Sequence, residues 1–142
     1  MTPTSPAGPA VRPVTDPVAV AADVAAVVLF VILGRRSHDE GSAVVGTLSV
    51  AWPFLAGAGL GWAAVLGLRA RDEVSGRWTG RSLPAGAVVL AGAVVGGMLL
   101  RHLTGGGTPW SFVLVGSSFL ALFLLGWRAA AAWQVRRTRP VD

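Results

Sequence analysis

Two charged residues sit inside otherwise apolar text. Asp23 lies within Val18-Ala-Val-Ala-Ala-Asp-Val-Ala-Ala-Val-Val, and Arg128 follows Leu124-Leu-Gly-Trp. An acid in an apolar helix is costly in lipid, so it faces protein or water and takes a partner. Two chemistries suit it. With Arg128 it can form a neutral, hydrogen-bonded ion pair joining two helices. Alone it can bind and release a proton or cation along a transport path. Asp23 stands ~8 Å into its apolar run at 1.5 Å per residue. Arg128 stands near the end of a run that returns to the same side, so the two can meet at similar depth. The ion pair is the simpler expectation.

A second polar cluster marks the opposite ends of the apolar runs. Gly34-Arg35-Arg36-Ser37-His38-Asp39-Glu40 closes the first, and Arg101-His102 closes the third. Guanidinium forks suit phosphate or carboxylate, which points to an anionic solute or a lipid head group. The plainer expectation is that Arg101 pairs with Asp39 or Glu40 and closes the helix ends. His38 and His102 with Asp39 have the donor types of a metal site, but histidines at helix ends are ordinary interfacial residues, so no metal is assigned. Ser37, His38 and Asp39 are sequence neighbours that point apart, which excludes a catalytic triad. With no Cys, thiol catalysis, Cys-ligated zinc and Fe–S clusters are excluded as well. No cofactor motif is present, no small-molecule ligand can be named, and the expectation is a protein that is not an enzyme.

The elements that position these residues follow from composition. Of 142 residues, 53% are hydrophobic and only 13% charged, with a mean hydropathy of +0.62. Soluble domains average about 25% charged residues, so the excess apolar mass belongs in a lipid bilayer. The chain predicts an all-α polytopic membrane protein with four transmembrane helices over about 18–34, 43–68, 83–103 and 110–133. Residues 1–17, with five prolines, are expected to form a disordered tail, and 134–142 a basic one. Pro53 should kink the second span. Gly57 and Gly61, and Gly92 and Gly96, make two G-x-x-x-G faces for close helix packing, which would also suit a homo-oligomer. Ser82 is an N-cap before Leu83-Pro84, and Thr108 before Pro109 reads the same way. Trp110, Trp127 and Trp133 fit interfacial belts.

The 12 basic residues are all Arg. Nucleic-acid binding is not expected, because the arginines flank apolar runs as topology signals do. Arg12, Arg69, Arg71, Arg77, Arg81, Arg136, Arg137 and Arg139 fall on one side, against Arg35 and Arg36 on the other. The positive-inside rule therefore places both termini in the cytoplasm of a multi-pass cell-membrane protein. A repeat is also visible. Phe54-Leu-Ala-Gly-Ala-Gly-Leu-Gly-Trp62 matches Phe119-Leu-Ala-Leu-Phe-Leu-Leu-Gly-Trp127 at six of nine positions, and the same offset carries Arg36 onto Arg101. That suggests two repeated helical hairpins.

Gly34-Arg-Arg-Ser-His38, Ala51-Trp-Pro-Phe-Leu-Ala-Gly57, Gly97-Met-Leu-Leu-Arg101, Ser111-Phe-Val-Leu-Val115 and Leu125-Gly-Trp-Arg128 occur in that order. The set resembles a domain-of-unknown-function family of small four-helix integral membrane proteins from high-GC Gram-positive bacteria. The resemblance implies the fold over about residues 18–133 and no activity. The chain does not resemble the small multidrug-resistance exporters, which carry a Glu in their first helix. It also lacks the polar and aromatic motifs of the small fluoride channels. The sequence therefore predicts a non-enzymatic helical bundle, with a small transporter or channel for a proton, cation or anion as the alternative.

Overall fold

The computed structural model describes residues 16–36, 44–72 and 77–138. Most of the Pro-rich tail lies outside them, as do Ser37, His38, Asp39 and Glu40.

Helix α1 spans Pro17–Arg36. It starts at the end of the stretch expected as a disordered tail, because Asp16 caps it. The Asp16 carboxylate accepts from the Val18 and Ala19 amides at 3.0 and 3.4 Å, and Pro17 takes the first helical position, where no amide is needed. Helix α2 spans Val44–Arg71, with Pro53 buried inside it and helix on both sides. Helix α3, Leu83–Ala91, is capped by the Ser82 hydroxyl, which accepts from the Ala85 amide at 3.2 Å. A π-helical turn, Gly92–Gly96, joins it to α4, Gly97–Leu103, as one continuous rod. Gly105 and Gly107, at φ +80° and +63°, then turn the chain, a conformation that side chains disfavour. Helix α5 spans Trp110–Arg137. Thr108 does not cap it. Pro109 holds the cap position with extended backbone and no side-chain bond, so the helix begins one residue later than Thr108 can serve. The Thr108 hydroxyl instead lies 3.5 Å from His102 Nδ1.

The four rods, Pro17–Arg35, Val44–Arg71, Leu83–Leu103 and Trp110–Arg137, are each long and apolar enough to cross a membrane, and no strand occurs among the described residues. The protein is an all-α, four-span membrane bundle. Its spans form a closed ring: α1 packs on α2 and α5, α2 on the α3–α4 rod, and that rod on α5. Phe54, Val27, Val31, Val89, Leu120 and Leu124 fill the interior, with the Phe30 ring edge-on to Phe54 at 5.6 Å. Leu60, Val95, Leu99, Leu114 and Leu122 point outward, as a bilayer solvent allows.

The closest helix pair is α2 against the α3–α4 rod. A Cβ on Gly57 would lie 2.5 Å from the Gly92 carbonyl oxygen, and one on Gly92 would lie 2.5 Å from that of Gly57. A Cβ on Gly61 would meet Val89 Cα at 2.6 Å, and one on Gly97 would meet Phe54 Cδ1 at 2.6 Å. The π turn explains the last contact. In an α-helix, positions 92 and 97 would point about 140° apart. Widening to i→i+5 bonding brings residues five apart onto one face, so Gly92 and Gly97 both bear on α2. The expected pair was Gly92 and Gly96. Gly96 takes a lesser part, its Cβ position 3.2 Å from Gly57 Cα. These glycine faces are consumed within the chain, so self-association would have to use another surface.

Candidate functional site

Asp23 and Arg128 meet in the interior, 1% and 0% exposed. They lie toward the end of the bundle that carries both termini. α1 brings Asp23 about 9 Å in from its first residue, and α5 brings Arg128 about 13 Å back from its last. The guanidinium grips the carboxylate with two parallel bonds, Nη1 to Oδ1 and Nη2 to Oδ2, both 2.7 Å. Nη1 also donates to the Leu124 carbonyl one turn back at 2.7 Å, and Nε donates to the Gly80 carbonyl at 3.1 Å. Gly86 leaves the room this needs: a Cβ there would fall 2.6 Å from Arg128 Cδ.

Two indoles complete the carboxylate's shell. Trp127 Nε1 donates to Oδ1 at 2.9 Å, and Trp62 Nε1 donates to Oδ2 at 3.1 Å. An ionised carboxylate has about four acceptor positions, and here each oxygen receives one guanidinium and one indole hydrogen. The Arg128 guanidinium also stacks 4.5 Å over the Trp127 ring, a favourable cation–π placement. The site is thus a neutral pair with a saturated acceptor, held by side chains of α1, α2 and α5 and by the Gly80 carbonyl of the loop before α3.

A second link lies just outside it. Arg81 Nε donates to Asp16 Oδ2, tying the loop before α3 to the start of α1. That hydrogen bond holds the Asp16 carboxyl below its usual range, against a smaller opposing effect of burial, and raises the Arg81 guanidinium. Gly80 packs tightly in this corner, its Cβ position 2.9 Å from Trp62 and 3.2 Å from Asp16 Cβ.

A family described as "Protein of unknown function (DUF3054)" matches residues 20–131. The chain belongs to the DUF3054 family. No curated protein and no solved structure matches it. The matched region of this DUF3054 chain takes in Asp23, Trp62, Gly80, Trp127 and Arg128, and leaves Asp16 and Arg136 outside.

The opposite end of the DUF3054 bundle holds the second cluster. Arg35 lies against the first turn of α2, where a Cβ on Gly46 would meet its Nη2 at 2.5 Å. Arg36 ends α1, whereas Ser37, His38 and Asp39 lie outside the described residues. Arg101 is taken up by its own turn: Nε donates to the Gly107 carbonyl at 3.0 Å, and the guanidinium sits 4.8 Å from the Phe112 ring centre. His102 is exposed. No cluster of three potential metal ligands occurs among the described residues.

Sequence reasoning missed the two tryptophans. The sequence places Trp127 in an interfacial belt, but its N–H is turned inward onto Asp23. Trp110 and Trp133, 86% and 55% exposed, do face outward. The signal was present in the repeat, which ends in Gly-Trp on both α2 and α5. Those two helices run in the same direction, so both tryptophans arrive at one depth. The rest of the repeat does not share an environment: Phe54 is fully buried, and Phe119 is 43% exposed.

Proposed function

We propose that this chain is a non-enzymatic integral membrane bundle in which Asp23 and Arg128 are a structural bolt between the first and last spans. One observation carries the reading: all four acceptor positions of Asp23 are filled. A proton or cation arriving at this carboxylate would have to displace a guanidinium or an indole, so the pair suits holding better than transport. The alternative is a small transporter or channel working through Asp23 or the arginines at the opposite end.

Asp23→Asn separates the two. The bolt reading expects a loss of about 3–5 kcal/mol, seen as lower folded yield and melting temperature, because Arg128 is left as an uncompensated buried charge. A variant as stable as the native chain that abolishes proton-coupled uptake in proteoliposomes would make Asp23 a transport site.

The charge balance supports a cytoplasmic location for both termini. Arg69, Arg71, Arg77, Arg81, Arg136 and Arg137 flank one end of the spans, and Arg35, Arg36 and Arg101 flank the other. Single cysteines at Ser37 and Ser75 test this in a chain without native Cys. A membrane-impermeant maleimide added to intact cells should label 37 and spare 75. The reverse pattern would invert the orientation.

A further inference from the structure

At the end of the bundle that carries both termini, the loop before α3 and the last turns of α5 flank an open groove. It is lined by Arg81, Ala131, Ala132, Val135 and Arg136. Its volume is about 410 Å³, and it is open on its outer side. Two arginines and three apolar residues thus share its lining. Arg81 is positioned by its Nε–Asp16 bond, yet its side chain stays 57% exposed. Arg136 is exposed as well.

Depth decides what such a groove can meet. A 28-residue helix such as α5 is ~42 Å long, about 12 Å more than the hydrocarbon core. Its last turns therefore emerge among the head groups. Trp133 marks the same level, with the Arg137 guanidinium 3.5 Å from its ring centre. A ligand that fills the groove must offer an anion to the arginines and apolar atoms to the alanines and valine. A free phosphate would satisfy only the first.

We propose that this groove binds an anionic phospholipid, with the phosphate between Arg81 and Arg136 and the start of an acyl chain along Ala131, Ala132 and Val135. Basic recesses between spans are a recurring solution for anionic head groups, which Arg holds in a planar fork. The inference goes beyond the Asp23–Arg128 bolt and does not depend on it.

Native mass spectrometry of the full chain in neutral detergent tests it, with phosphatidylglycerol or phosphatidylcholine added. Phosphatidylglycerol should be retained over phosphatidylcholine. R81Q and R136Q should each weaken that retention about fivefold. R136Q leaves the Asp16 contact intact, so its loss is not a folding effect. The double variant R69Q/R71Q, at the same end but off the groove, should retain the lipid as the native chain does. Equal retention of the two lipids, native-like binding by R136Q, or an equal loss in R69Q/R71Q would overturn the proposal. Complete displacement of phosphatidylglycerol by millimolar inorganic phosphate would also overturn it, and would assign the arginines to a soluble anion.

Discussion

Trp62 and Trp127 each give Asp23 one hydrogen, and Phe in place of either keeps an aromatic ring but lacks the N–H. Hydrogen bonds to charged groups contribute roughly 1.5–3 kcal/mol. Trp62→Phe and Trp127→Phe should each lower stability by about that much in reversible unfolding from mixed micelles. The combined variant should lose more than either single one while keeping the ion pair itself. At this scale the sequence was informative about Asp23 and Arg128, since isolated charges in apolar text must find each other. For the indoles it offered only the shared Gly-Trp of the repeat, which does not say where their N–H groups point. A Trp near a span end satisfies its N–H equally well at a lipid interface, and only the three-dimensional meeting of α1, α2 and α5 decides between the two.

Helix packing rests on which glycines touch a neighbour. Gly57 has no room for a methyl group against the Gly92 carbonyl, whereas Gly59 and Gly67 on the same helix have open space. Gly57→Ala should separate α2 from the α3–α4 rod and cost about 1–3 kcal/mol, as overpacking does. Gly59→Ala and Gly67→Ala should be neutral or slightly stabilising, because Ala is the better helix former by ~1 kcal/mol. Thermal melts of the three variants would check the contrast. Spans and their rough limits were legible in the sequence, because hydropathy and length alone specify them. The π turn was not. It swaps the expected Gly92–Gly96 spacing for Gly92–Gly97, both of which bear on the facing helix. The Asp16 cap was hidden for a related reason: it borders a proline-rich tail whose composition argues against order.

At the scale of the whole molecule, the bolt joins the first span to the last. Consecutive spans are tethered by their loops, but α1 and α5, distant in sequence, are joined among the described residues by packing, the Asp23–Arg128 pair and the Trp127–Asp23 hydrogen bond. In a membrane, apolar side chains gain little by leaving lipid for protein, so a directional ionic contact is a strong means of closing the ring. A buried ion pair can also be replaced by apolar residues of similar size with little loss, whereas removing one partner is severe. The most direct test is therefore a double-mutant cycle on stability with Asp23→Leu, Arg128→Met and the two combined. The bolt account predicts that each single variant is strongly destabilised and that the double variant loses clearly less than the two single losses added, while still lacking the acceptor for the Trp62 and Trp127 N–H groups. Losses that simply add, or single variants as stable as the native chain, would contradict it.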